Sequence, residues 1–186
     1  MNYKDIYKRN LDTNRIIIDV ALDDYYDFYN EWDKAKFNIR DLNPELVSFL
    51  ETCVKQIPSK ELLELRLHIE NDPADIKSEE EVKESFYHYY NMEIDEIKKI
   101  LRRIYKIAAM SISISLFMLI FVYFAEGDMK EGLLAYTIIN GFEIGGWVFM
   151  WEAFYGIGFE RINEKKKIHE LRRLSSADVS FVYAKE

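Results

Sequence analysis

Two periods alternate along this chain. From Arg15 to Leu22 apolar residues recur at every second position, Ile16, Ile18, Val20 and Leu22 on one face and Ile17, Asp19 and Ala21 on the other, which predicts a strand. Lys60 to Glu70 alternates in the same way, with Leu63, Leu65, Leu67 and Ile69 against Glu64, Arg66, His68 and Glu70. A helix is predicted between them: Asn43 is its N-cap, Pro44 its first residue, Leu46, Phe49, Leu50, Cys53 and Val54 its apolar face, and Pro58 follows its end. The result is a β-α-β unit, in which the spacing leaves open whether the strands are neighbours. Ser78 and Glu81 form a capping box for a further helix with Val82, Phe86, Tyr89, Tyr90, Ile97 and Leu101 on its apolar face. Neither proline nor glycine occurs between Ser78 and Glu126, so this helix is expected to continue unbroken for about 70 Å. Near the C-terminus Ile162, Ile168, Leu171 and Leu174 predict a basic helix, and Asp178 to Ala184 alternates again, with Val179, Phe181 and Tyr183 on one face. A strand this apolar needs a sheet, and the N-terminal strands supply the one at hand.

Elsewhere the apolar positions are continuous. Ile107 to Ala125 contains no charged residue and, as a helix, spans about 28 Å, close to the hydrocarbon thickness of a bilayer. Gly132 to Trp151 is interrupted by Glu143 alone and reaches about 30 Å. A short polar linker, Glu126 to Glu131, separates them. The pattern predicts an α+β membrane protein: a transmembrane helical hairpin over 105–156, with spans near 107–125 and 132–151, inserted in a small cytoplasmic α/β domain of three strands and helices made from 1–104 and 157–186. The alternative, a pair of buried core helices, would need more soluble chain than remains to surround them.

The flanking charges orient the hairpin. Lys98, Lys99, Arg102, Arg103 and Lys106 precede the first span, and Arg161, Lys165, Lys166, Lys167, Arg172 and Arg173 follow the second, whereas the linker sets only Lys130 against three acids. Lysine and arginine remain on the cytoplasmic side, so both termini are expected there, with the protein in the cell (inner) membrane. The first nine residues lead into no apolar core, so no cleavable signal is expected. Tyr123, Trp147 and Trp151 lie near span ends, where amphipathic rings favour the headgroup zone.

Charge and composition then narrow the chemistry. The net charge is −8, and residues 1–97 alone carry −11, so an acidic domain is joined to a basic collar and nucleic acid is not an expected partner. One cysteine, Cys53, excludes an internal disulfide and a cysteine-only zinc site. All seven glycines lie at or after Gly127, which excludes a P-loop or dinucleotide fingerprint in the first 126 residues. His68, His88 and His169 fall in three different elements without ligand spacing. No catalytic residue, metal or cofactor is expected, and a non-enzymatic role is the expectation.

Two stretches remain as candidate sites. Asp23 to Asp33 interleaves acids with aromatic rings; Asp23, Asp24, Asp27 and Trp32 mark it as an interaction loop for a protein partner of the acidic domain, or as a loop whose rings cover the sheet edge. It lacks the glycine and closing glutamate of an EF-hand loop. In the second span Tyr136, Asn140, Glu143 and Trp147 form one polar stripe, and a charged carboxylate at mid-span costs several kcal/mol unless paired or wet. Gly141 and Gly145 form a small-residue face that can pack against Ala108, Ser111 and Ser115 of the first span. That packing leaves the stripe facing lipid, so a homo-oligomer is expected to cover it. Glu143 would then serve either an interhelical hydrogen bond with Asn140 or a cation path.

Gly146-Trp147-Val148-Phe149-Met150-Trp151 resembles the Gly-Trp…Trp signature of an uncharacterised prokaryotic family of two-span membrane proteins with a cytoplasmic α/β domain. Glu152 stands where members often carry a basic residue. The resemblance implies the same layout and no particular activity. The sequence therefore points to a membrane-anchored interaction or sensing module, or alternatively to an oligomeric channel or membrane-perturbing effector gated by its cytoplasmic domain.

Overall fold

The computed structural model describes residues 3–71, 73–128 and 132–183, the side chains of 126–128 excepted. The chain divides into two compact units, Met1–Glu96 with Lys167–Glu186, and Ile97–Lys166.

The first unit is an α+β fold around a parallel sheet. Its strands β1 (Ile16–Leu22), β2 (Leu63–Ile69) and β3 (Asp178–Tyr183) lie in the order β1-β2-β3. The last alternating run does join the first two, and β1 and β2 are neighbours. Ile18 lies opposite Leu65, and Leu65 opposite Val179, so the apolar alternation of all three strands falls on one face. Helices bury that face. Leu46, Leu50, Cys53 and Val54 come from α2 (Pro44–Gln56), Val82, Phe86, Tyr90 and Ile94 from α3 (Ile76–Asp128), and Ile168, Leu171 and Leu174 from α5 (Arg161–Ser175). Asn43 caps α2 as its sequence predicts, its side chain accepting the Glu45 N–H at 2.9 Å.

Four expectations need correcting. Phe49, placed on the buried face of α2, is 47% exposed. The cap of α3 is Asp75 rather than Ser78, its carboxylate accepting the N–H groups of Lys77 and Ser78 and the Ser78 hydroxyl. Glu64 and Ile17, assigned to the polar face of the sheet, are buried. The reason is the N-terminal segment, in which Lys8 accepts the Ile17 N–H and Asn10 donates to Glu64 at 2.6 Å; a short helix, α1 (Tyr3–Ile6), opens it. Finally, Arg173, counted above with the basic flank, turns into the first unit and donates to the carbonyls of Val54, Ile57, Pro58 and Glu61 at 3.0–3.2 Å. It thereby serves orphan acceptors at and beyond the end of α2.

In the second unit, α3 continues without a break to Asp128 and takes in the first half of the expected linker; Met129 to Glu131 lie outside the described residues. The second apolar helix, α4 (Leu133–Tyr155), passes through a π turn at Gly156–Glu160 directly into α5. Two helices are thus long and apolar enough to cross a membrane. Their apolar windows are only 22% and 6% buried, unlike core helices of a soluble protein.

Candidate functional site

In open parallel sheets, ligands bind in the crevice beyond the carboxyl ends of the strands. Here that end is built by three chain segments. After β1, Asp24 caps a short 3-10 turn (Tyr25–Phe28) by accepting the N–H groups of Tyr26 and Asp27, which turns Tyr25 and Phe28 inward. After β2, the chain passes Pro73 to Asp75 and enters α3. At the end of β3, Tyr183 ties the other two together. The Asp75 N–H donates to the Tyr25 hydroxyl, that hydroxyl meets Tyr183 at 2.7 Å, and Tyr183 donates to Glu79. Burial, then the bond to Glu79, pushes the Tyr183 phenol well above its ordinary range.

The segments after β1 and β2, with the turn at Phe37, line an open cavity of about 280 Å³. Tyr25, Tyr26 and Tyr29 line it from the segment after β1, with Phe37 from the next turn. Asp75, Ser78, Glu81 and Val82 line it from the cap and first turns of α3. The rings are pre-arranged: Phe37 lies 5.6 Å from Tyr26 and 5.4 Å from Tyr29, both in tilted or edge geometry. Burial, reinforced by the neighbouring Glu81, pushes the Tyr29 phenol up to about 12, so this wall stays uncharged. The Arg40 guanidinium, held by the Asn30 carbonyl, stacks over Tyr29 and Phe37 at 5.5 and 5.8 Å from their centroids and does not line the cavity.

The acidic residues singled out in the sequence turn to their own backbone. Asp24 is the cap just described, and Asp27 accepts the Asp23 N–H at 3.0 Å. Trp32 is 89% exposed. None of the four lines this cavity; the aromatic residues between them do. The available signal was the two adjacent aromatic pairs, Tyr25-Tyr26 and Phe28-Tyr29.

In the second unit Ala108, Ser111 and Ser115 are buried, and the Ser115 hydroxyl donates to the Gly146 carbonyl at 2.6 Å. A Cβ at Gly146 would lie 2.9 Å from the Leu119 side chain, and one at Gly145 would meet the end of Met118. Gly141 faces open space, so the close approach involves Gly145 of the expected pair together with Gly146. Along the polar stripe Tyr136, Glu143 and Trp147 are exposed and Asn140 is half-buried.

A second polar cluster lies on the other face of the sheet. Glu64 accepts from Asn10, Arg66 and Ser180. Burial would raise its carboxyl, but these three bonds outweigh it and hold the group below its ordinary range. His68 pairs with Asp19 at 2.8 Å. Among the described residues no group of three or more metal-ligating side chains assembles. No family model, curated protein or solved structure matches the chain.

Proposed function

We propose that this protein is a membrane-anchored sensing module: α3 and α4 cross the bilayer as a hairpin, and the α/β unit presents the aromatic cavity as its input site. One observation carries the anchoring. The windows from Ile107 onward expose Phe117, Phe124, Leu134, Trp147 and Trp151 at 60–80% or so, an apolar surface far larger than a soluble monomer tolerates. The buried Ser115–Gly146 hydrogen bond supports a hairpin whose helices meet through small residues, as helices do in lipid. The flanking lysines and arginines favour a topology with both termini on the cytoplasmic side of the inner membrane. The exposed stripe of Tyr136, Glu143 and Trp147 calls for a second copy to cover it. A second reading, a pore lined by Glu143, draws on the same exposure.

Washing vesicles with alkaline carbonate and tagging each terminus tests the anchoring. The protein is expected to stay in the pellet, with both tags protected on one side. Release by washing, or tags on opposite sides, would refute it. For the pore, reconstituted protein should pass cations with a current altered by Glu143→Gln; silent bilayers exclude it.

A further inference from the structure

We propose that the cavity at the carboxyl ends of the strands binds a small organic cation of the quaternary-ammonium class. The inference rests on reading the α/β unit as the sensing part, and it names the ligand chemistry of that part. Two features select the charge. Tyr25, Tyr26, Tyr29 and Phe37 line the cavity from the segments after β1, and Asp75 and Glu81 are the acids among the residues that line it from the cap and first turns of α3. Among the described residues lining the cavity none is basic. An anion would meet two carboxylates here, and the positive end of α3 offsets only part of that repulsion, because Asp75 already occupies its first N–H groups.

Two of the four rings already attract a cation in this fold, since the Arg40 guanidinium stacks on Tyr29 and Phe37. A group that is apolar on its surface and positive as a whole suits such a wall better than an ammonium or metal ion. It makes no hydrogen bonds that the phenyl faces would leave unmet, and it gains from the ring quadrupoles. Of the carboxylates, Asp75 is pinned by the helix cap, and Glu81 makes a loose 3.9 Å pair with exposed Lys77. They supply field without having to coordinate. The volume, about 280 Å³, is of the order used by small-molecule sites.

The test uses the full chain in maltoside detergent, with isothermal titration of choline, tetramethylammonium and the uncharged choline isostere 3,3-dimethylbutanol. Saturable binding of the cations, about tenfold tighter than the isostere, is expected. Soluble short-chain phosphatidylcholine, titrated beside free choline, distinguishes a lipid headgroup from a free ligand; binding of either supports the proposal. Tyr26→Leu, at a ring 63% exposed and so of little weight in folding, and Glu81→Gln should each weaken binding about fivefold while the circular dichroism is unchanged. Trp32→Leu, outside the cavity, should leave affinity unchanged. No heat with any cation, equal affinity for the uncharged isostere, or binding insensitive to both cavity variants would overturn the proposal. Carbonate washing of the vesicles before detergent extraction reads anchoring separately: a protein that washes off but binds choline overturns the membrane reading alone, and one that stays but ignores choline overturns the ligand alone.

Discussion

Arg173 offers a direct test of how the first unit holds together. Its guanidinium donates four hydrogen bonds to carbonyls between Val54 and Glu61, residues 112 to 119 positions earlier in the chain. Arg173→Met keeps most of the apolar stem and removes every donor. A charge-assisted bond contributes about 1.5–3 kcal/mol, but four on one side chain are not additive, and the carbonyls of partly exposed Pro58 and Glu61 regain some water. A net loss of about 3 kcal/mol follows, roughly a hundredfold in the opening equilibrium. Cys53, the sole cysteine, is a built-in reporter, because it lies 3% exposed on α2 one residue before Val54 and its thiol, raised by burial, reacts only when α2 opens. Maleimide labelling of Cys53 in native buffer should therefore be about a hundredfold faster in Arg173→Met than in the parent. Arg173→Lys, with donors from a single point, should fall between. A labelling rate for Arg173→Met within threefold of the parent would refute the assignment and return Arg173 to the basic flank.

Three further outcomes are expected. Glu64 is held below its ordinary value of 4.5, so the stability it contributes is complete above that value and is lost as the pH falls through its folded value; Glu64→Gln should cost about 2 kcal/mol at pH 7 by denaturant unfolding, with the difference from the parent shrinking as the pH is lowered below 4.5. A difference that grows in acid would contradict the network. Gly146→Leu drives a side chain into Leu119 and should split the α3–α4 pair, read as loss of an engineered crosslink between the Phe121 and Phe142 positions, whereas Gly141→Leu, facing open space, should leave it intact. Tyr183→Phe removes the link between Tyr25 and Glu79 and should destabilise the unit by about 1–2 kcal/mol in thermal unfolding.

What could be read in the sequence was whatever has a short period. The strands announced themselves by alternation, α2 by Asn43 and Pro44, and the apolar helices by uncharged length. Long-range polar partners left no such trace. Arg173 reads as one more basic residue after a span until the fold brings α5 against the end of α2. Glu64 sits in an alternating run where every polar residue looks alike, and only Asn10 and Ser180, from elsewhere in the chain, distinguish it. The cavity was half legible. Most of its aromatic wall, Tyr25, Tyr26 and Tyr29, lies in the stretch that stood out, but its acidic lining residues, Asp75 and Glu81, come from beyond β2, and only the parallel order of the strands juxtaposes the two.

The placement of glycine argues for two different solvents within one chain. The first 126 residues make every turn without it. Among the described residues the one left-handed backbone position belongs to Asn14, with φ 58°, whose carbonyl and side chain are held by Arg9 at 2.9 and 3.0 Å. Glycine is thus absent where its freedom is usually needed and concentrated inside α4, where it costs about 1 kcal/mol per residue relative to alanine in water. That cost has to be recovered, and Gly146 shows how: its missing side chain lets Leu119 and the Ser115 hydroxyl reach the backbone of α4, forming a buried 2.6 Å bond. In water such a helix pair would be held more readily by burying Phe117, Trp147 and their neighbours, yet these point outward. Large apolar residues outside and small or hydroxylated ones at the contact is the order expected when the surroundings are themselves apolar and association depends on close packing.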